Sequence, residues 1–189
     1  MDLFLWLGIM TQSADMVDVL VIGAGPGGGS AALHAARAGL STIIVEADPE
    51  VGTPVHCGEC LSQLAVDNLD LELPDHVKAL DVKGIRVIFP DGTEKLLTEK
   101  GYVLEKHLFE RWLCDEAVKK GAKLHLHHRV NSMKRIMNSE NEFSYWEIDG
   151  RGDEFPIQCK AVIDASGVSG AASKLLEMET QVDVIAGVQ

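Results

Sequence analysis

Apolar and polar positions along this chain alternate between two rhythms. Residues 18–22, DVLVI, form a short unbroken apolar run rich in β-branched side chains. That is the pattern of a strand buried on both faces of a parallel sheet. Residues 27–38 are mostly small, and Gly39 follows them as a C′ stop, which predicts a helix. Residues 41–45 return to the apolar β-branched run. The order strand, glycine turn, helix, strand is a βαβ unit.

Beyond it the pattern is more broken. Residues 62–71 suit a short helix. Residues 84–90, GIRVIFP, alternate like a strand, Asp91-Gly92 signals a hairpin, and residues 93–98 return as its partner. This hairpin interrupts the βαβ pattern and predicts an inserted sheet. Residues 102–104 predict a short strand. Residues 105–120 carry the strongest helical spacing, with Leu108, Phe109, Trp112, Leu113 and Ala117 on an apolar face. Lys119 and Lys120 suit its negative end, and Gly121 stops it. Residues 122–128 predict a strand with Lys123, His125 and His127 on one face. Residues 130–137 and 143–148 predict paired strands around the polar turn 138–142, and residues 150–153 the next turn. Residues 156–165 predict a strand with Ala161 to Ile163 buried, ending in Asp164-Ala165-Ser166-Gly167. A short helix over 171–177 follows. The chain stops just after the apolar run 182–186 and reads as cut in mid-fold.

Composition narrows the class. With 189 residues the chain holds one domain or one and a half. A net charge of −12 argues against a nucleic-acid backbone as partner. The four cysteines, at 57, 60, 114 and 159, spell neither a disulfide framework nor a four-cysteine zinc site. A reducing cytoplasm is the simpler setting. Residues 1–10, MDLFLWLGIM, are apolar but too short to span a bilayer and lack a basic leader region. They read as a disordered or non-native extension through residue 16, with a peripheral membrane foot as the minority reading.

The chemistry concentrates after the first strand. Gly23, Gly25 and Gly28 fill a G-x-G-x-x-G pattern. Gly23 allows the tight turn, Gly25 lets a pyrophosphate approach the backbone, and Gly28 lets the helix lie close to the sheet. Glu46 ends the second strand, where an acid binds ribose hydroxyls and disfavours a 2′-phosphate, so FAD or NAD fits better than NADP. The plainer alternative is a glycine-rich βαβ unit that binds nothing. The long loop after Glu46 contains Cys57-Gly58-Glu59-Cys60. Its thiols read as a zinc pair lacking its second half, as a dithiol redox pair, or as small residues packed beneath a cofactor. The histidines at 125, 127 and 128 read as an exposed polar face, since no carboxylate or cysteine in the run completes a ligand set, and no metal is expected. Lys106 and Arg111 read as solvated, with Lys106 near enough to a helix start to meet phosphate.

Three segments together resemble the geranylgeranyl reductase family, of the archaeal digeranylgeranylglycerophospholipid reductase type. The first is the nucleotide motif with Glu46. The second and most specific is Gly52-Thr53-Pro54-Val55-His56-Cys57-Gly58-Glu59, similar to the family's G-x-P-V-x-C-G/A-E segment beside the flavin. The third is Tyr102-Val103-Leu104-Glu105-Lys106 with Phe109 and Leu113, where the family usually has arginine at the position of Lys106. Asp164-Ala165-Ser166-Gly167 resembles a second FAD-contacting turn, and Gly187-Val188-Gln189 the start of a family strand.

The resemblance implies an α/β, Rossmann-like FAD-binding fold of the p-hydroxybenzoate hydroxylase group, with inserted antiparallel strands and incomplete at the C-terminus. The FAD-binding domain would run from 17 to 181, with the hairpin at 84–98 inserted, and 182–189 would begin a truncated substrate domain. FAD contacts are implied for Gly23, Gly25, Pro26 and Gly28, for Glu46 and Ala47, and for Cys57 and Gly58. Lys106, Val130, Asp164 and Gly167 complete the implied set. Cys57 would stand by the isoalloxazine as the catalytic candidate, either a redox thiol or a wall of the cavity, the latter favoured. Cys60 has no family role. The implied activity is reduction of geranylgeranyl C=C bonds in isoprenoid ether lipids, with another FAD oxidoreductase of the same fold (a monooxygenase or quinone-linked dehydrogenase) or an inactive nucleotide-binding fragment as the alternatives; the setting is the cytoplasm, and peripheral association with the inner face of the membrane stays open. The electron donor, ferredoxin or reduced nicotinamide, stays open.

Overall fold

The computed structural model describes residues 16–55, 57, 59–69 and 72–178. The two apolar runs near the N-terminus become neighbouring strands, β1 (Val17–Ile22) and β2 (Thr42–Val45), joined by α1 (Pro26–Arg37). They pair in parallel, Val19 with Thr42 through Ile22 with Val45. An insertion follows, made of β3 (Cys60–Ser62), α2 (Gln63–Leu69), β4 (Lys78–Val82), β5 (Ile85–Ile88), β6 (Glu94–Leu97) and β7 (Gly101–Leu104). The chain then resumes through α3 (Lys106–Lys119), β8 (Lys123–His125), β9 (Arg129–Met137), β10 (Phe143–Arg151), β11 (Ile157–Asp164) and α4 (Ala171–Leu175).

The main sheet has the order β8-β2-β1-β11-β10-β9. β8, β2, β1 and β11 run parallel, and β10 and β9 continue the sheet antiparallel. The strand order leaves β1 toward β2 on one side and is resumed by β11 on the other. Open parallel sheets bind ligands at such a switch, outside the carboxyl ends of the strands.

Alternate residues of β1 feed two cores. Val19 and Val21 meet Ala32, Leu33 and Ala36 of α1 and Cys114 and Ala117 of α3. Leu20 and Ile22 meet Ile43, Val45, Val130, Ile148, Ile157 and Cys159 on the other face. Leu20, Val21, Leu33 and Ile44 are fully buried, each stabilising by about 1.5–3 kcal/mol. A third cluster joins Phe109 and Leu113 of α3 to Val66, Leu73, Val77 and Leu104, and so seats the insertion on the main sheet's helix layer.

The insertion contains two antiparallel sheets, β3-β7-β4 and the hairpin β5-β6. Asp91 closes the hairpin turn by accepting from the N–H and hydroxyl of Thr93 at 2.9 and 2.7 Å, an Asx turn.

The structure corrects several expectations. β4 was not foreseen; its residues are held by pairing with β7 rather than by an apolar pattern of their own. Cys60 opens β3 instead of ending a loop. The strand expected over 122–128 ends at His125, and His127 has φ 59, so His125 and His127 do not share a strand face. β10 runs on through Gly150 and Arg151, which pair with Val130 and Arg129, so the expected turn at 150–153 begins later. Ala161 and Ile163 are exposed and Val162 is half-buried, while Ile157 and Cys159 are buried. Ala161 and Ile163 lie beside Val19 and Val21, but the core formed by α1 and α3 takes in Val19 and Val21 and not these two β11 residues. The extension before Met16 and the apolar run 182–186 lie outside the described residues, as do Asp70 and Leu71 at the end of the helix expected over 62–71.

Candidate functional site

Three carboxyl strand ends meet where β1 gives way to α1. The Gly23 N–H donates to the Val45 carbonyl at 2.8 Å, and the Ala165 N–H donates to the Ile22 carbonyl at 2.9 Å. The turn from β1 is thereby tied to the ends of β2 and β11. Glu46 braces it: Oε2 accepts from the Ala24 N–H at 2.7 Å, and Oε1 accepts from the Asp48 N–H at 3.0 Å. Each carboxylate oxygen keeps a further lone pair, so Glu46 can hold the turn and still accept from a ligand hydroxyl.

The glycines divide their work. A Cβ at Gly28 would collide with the Gly23 carbonyl, standing 2.9 Å from its carbon, and would press Val21 Cγ1 at 3.3 Å. Gly28 therefore serves the close approach of α1 to the sheet. A Cβ at Gly25 would meet nothing within 4 Å. Gly25 is the N-cap of α1, with φ −68 and ψ −172, Pro26 stands in the first turn, and no side chain caps the helix. Open space thus faces the amides and positive dipole end of a 12-residue helix, an arrangement that suits an anion such as a diphosphate. Behind the turn, Cys114 Sγ donates to the Ala24 carbonyl at 3.5 Å and fixes α3 against it. Burial, with negative charge at Asp115, Glu110 and Glu46, pushes that thiol up to about 12, so it packs as a small neutral group.

The second turn, after β11, is held by its own acid. Asp164 Oδ1 accepts from the Ser166 N–H and hydroxyl at 3.1 and 2.5 Å. Its Oδ2 accepts from the N–H groups of Ala172 and Ser173 at 2.8 and 3.3 Å. Burial pushes this carboxyl up, but the hydrogen bonds from Ser166, Ala172 and Ser173 outweigh it and hold Asp164 below the usual carboxylate range. Asp164 shapes the turn and caps α4.

Between the turns and β9 lies a cleft of about 530 Å³. Gly23, Glu46 and Ala47, Arg129, Val130 and Asn131, and Ser166, Ser169 and Lys174 all line it. Its lining carries the acids Glu46 and Asp48 and the cations Arg129 and Lys174. An acid at the end of β2, an open helix N-terminus and an adjoining cleft of mixed polar and apolar lining are the parts that hold a ribose, a diphosphate and a base.

Of the residues expected at the site, Gly23, Glu46, Ala47 and Val130 line this cleft, and Gly25, Pro26 and Gly28 form the adjoining turn and helix start. Asp164 and Gly167 flank Ser166, which lines it. Cys57 and Lys106 are not among its lining residues. The Glu59 N–H donates to Cys57 Sγ at 3.4 Å, and Gly58 lies outside the described residues, as does His56. Lys106 is not solvated: its ammonium pairs with Glu110, and the two side chains are only 18% and 6% exposed. Gly52 of the Cys57 loop rests on this same pair, since a Cβ there would stand 2.7 Å from His107 Cα and 3.1 Å from Glu110 Oε2. Sequence spacing missed Glu110, which reads as a surface acid although it follows the buried Phe109 directly. It also missed Arg129, Asn131 and Ser169, which only the return of β9 and β11 to the sheet brings to the cleft. Of the three histidines His127 is exposed as expected, whereas His125 and His128 are half-buried, and His125 Nε2 is buried and without a partner among the described residues. Burial lowers its pKa, only partly offset by Glu154.

Residues 18–174 match the family described as FAD dependent oxidoreductase. The digeranylgeranylglycerophospholipid reductase of Methanocaldococcus jannaschii is 34% identical over 164 residues, 84% of this chain and 40% of the relative. The enzyme of the same name from Methanosarcina acetivorans is 33% identical over 90% of this chain and 42% of its own length. The chain thus spans about two fifths of the curated relatives it matches. Among solved structures, a geranylgeranyl bacteriochlorophyll reductase-like protein from Thermoplasma acidophilum superposes with a TM-score of 0.68 at 33% identity, over 79% of this chain and 39% of that one. A halogenase in complex with FAD superposes at TM-score 0.69 with 15% identity, over 88% of this chain and 37% of its own, a likeness of fold alone. The expected α/β fold, with a sheet parallel about β1 and antiparallel beyond β11, is therefore borne out, and with it the fold group of flavin-dependent hydroxylases and halogenases.

Proposed function

The chain belongs to the FAD dependent oxidoreductase family, and we propose that it forms the nucleotide-holding part of a reductase that saturates geranylgeranyl C=C bonds in isoprenoid ether lipids. FAD is the cofactor. The observation that carries the reading is the open helix start at Gly25 beside Glu46, in a chain one third identical to two enzymes named for that lipid reduction.

Reduced flavin, when bound, supplies the hydride. The chain's own residues hold and orient it. The α1 amides past Gly25 take the diphosphate, Glu46 accepts from ribose hydroxyls, and the cleft along Ala47 and Val130 receives the adenosine end. Asp164 and Gly167 act through the shape of the second turn. Lys106, paired with Glu110, supports the Cys57 loop and does not present a bare charge. Cys57 forms a small polarisable wall of the cavity, in which an unactivated double bond must be kept dry while it gains a proton and a hydride. Electrons come from ferredoxin or a reduced nicotinamide, and the protein works in the cytoplasm at the membrane surface where its substrate lies. Among the described residues no helix is long and apolar enough to cross a membrane.

The test is to express the chain with any coding sequence that follows Gln189, load it with FAD, reduce it with dithionite and supply a geranylgeranyl ether lipid. Mass spectrometry should show one H₂ gained per saturated bond. One alternative on the same fold is an oxygenating flavoenzyme. Nicotinamide-driven hydroxylation without saturation would establish it instead. Turnover that survives Cys57→Ala supports the wall role. Loss in both Cys57→Ala and Cys57→Ser, with flavin still bound and reducible, assigns thiol chemistry.

A further inference from the structure

Glu110 is the one charged residue that is buried among those described. A charge is kept inside a protein only when it is paired, and its two oxygens have different neighbours. Oε1 takes the ammonium of Lys106, one turn back on α3. Oε2 stands by Gly52: a Cβ at Gly52 would lie 3.1 Å from it and 2.7 Å from His107 Cα. Gly52 has φ 78, so both its conformation and its closeness to α3 call for glycine. The same loop is fixed again at Glu59, whose carbonyl accepts from the Leu104 N–H at 2.8 Å, two residues before α3 begins. Cys57 lies between these anchors and is half-buried, with its Sγ accepting from the Glu59 N–H.

Lys106, Glu110 and Cys114 stand four residues apart and share one stripe of α3. Cys114 meets the glycine turn at the Ala24 carbonyl, and Glu110 meets the loop at Gly52. One stripe of one helix thus touches both the turn that faces a diphosphate and the loop that carries Cys57. Removing either charge of the pair leaves the other buried and unpaired, and the lighter part gives way. α3 is anchored in two cores through Phe109, Leu113, Cys114 and Ala117, whereas Val51 is the only buried residue among those described in 47–59. We propose that Glu110 is a positioning residue of this site, which holds Lys106, seats Gly52 and so sets how far Cys57 is open to the cavity. The assignment rests on the reading of Cys57 as a cavity wall and adds the group that places that wall.

The experiment alkylates the full chain with iodoacetamide and follows each cysteine by peptide mass spectrometry, in the parent, Glu110→Gln, Gly52→Ala and the double variant. The other thiols are internal controls: Cys60 is exposed, and Cys114 and Cys159 are buried in the helix layer and the sheet. Glu110→Gln should raise Cys57 labelling relative to Cys60 by about 10-fold or more, the size expected for losing one charge-assisted contact, while Cys114 and Cys159 stay protected. Gly52→Ala leaves the ion pair whole but lifts the loop, and should have the same effect. The double variant should add nothing further, because both changes act through one contact. Unchanged Cys57 labelling, exposure of Cys114 and Cys159 together with Cys57, or effects that multiply in the double variant would each overturn the assignment. FAD tests the underlying reading separately: it should shield Cys57 in the parent, and shield it less in Glu110→Gln with flavin still bound. Cys57 labelling that FAD leaves unchanged in the parent overturns the cavity-wall reading, and with it the role of Glu110 in the site, even where the seat of the loop holds.

Discussion

The βαβ unit and the β5-β6 hairpin are both strand pairs with apolar residues, yet they meet solvent oppositely. All four residues of β2 are buried, whereas all four of β6 are exposed. In the first region each side chain is fixed by a sheet on one side and helices on the other. In the second, Ile85, Ile88, Phe89, Leu96 and Leu97 stand in the open among the described residues, and the pair is held by its ladder and by the Asp91 turn. Local pattern is enough to make a hairpin. Only the packed region has the rigidity to aim backbone amides at a ligand.

The sharpest way to break the packed region is Gly28→Ala. The added methyl collides with the Gly23 carbonyl, which is backbone and tied through Gly23 to β2. A loss of about 4 kcal/mol or more is expected, read as collapse of the thermal transition or as insoluble protein. Next is Ile44→Ala, which should cost about 2–5 kcal/mol because Ile44 is fully buried between β1, β8 and the helices. Its counterpart in the hairpin, Leu96→Ala, removes a side chain from a residue 66% exposed and should change stability by no more than about 0.5 kcal/mol. Urea denaturation of the pair measures the contrast, and equal costs would refute it.

Gly25 separates fold from site. No atom lies within 4 Å of a Cβ there, and its φ of −68 suits any residue. Gly25→Val should therefore shift the unfolding midpoint little, with an N-cap cost of about 1 kcal/mol at most, while FAD retention falls steeply because the new side chain fills the phosphate's place. Glu46→Ala sits between the two. It removes the acceptor for Ala24 and Asp48 together with the ribose acceptor, about 1.5–3 kcal/mol for a charge-assisted bond. Both variants are read by flavin fluorescence after gel filtration. Unchanged flavin retention in both would remove the site from this turn.

The same contrast decides what the sequence made legible. β1, the glycine turn, α1 and β2 were readable because strand period, glycine spacing and acid all answer to one local unit. α3 and the hairpin were readable for a similar reason, a helical stripe in one and an Asp-Gly turn in the other. What failed depended on partners distant in the chain. β4 exists because β7 lies beside it. Ala161 and Ile163 look buried by composition, but burial needs a covering layer, and the core under α1 and α3 does not take them in. Lys106 looks solvated until Glu110 is seen buried one turn on, beneath Gly52. Within the site, the half built on β1 and β2 was legible. The stretch from His128 to Asn131 was not, because the strand stops at His125 and His127 takes a positive φ before the chain reaches the cleft.

A small effect is expected at the second turn, and pH exposes it. Asp164 is held below the usual carboxylate range by the donors Ser166, Ala172 and Ser173, so its charged form is favoured in the fold. Its contribution to stability is then complete above the pKa of an unfolded aspartate, about 3.9, and is lost as pH falls through the lower folded value. The group is largely solvent-facing, so screening limits the size, and loss of this cap should cost about 1 kcal/mol or less. Asp164→Asn should lower the melting temperature slightly at pH 7. The gap between parent and variant should then close between about pH 4 and the folded pKa, because the parent loses there what the variant never had. Melting curves at pH 7, 5, 4 and 3 measure that gap. A gap that stays constant down to pH 3 would mean that the carboxylate charge does not hold this turn, and that the hydrogen-bonding shape of the side chain alone is enough.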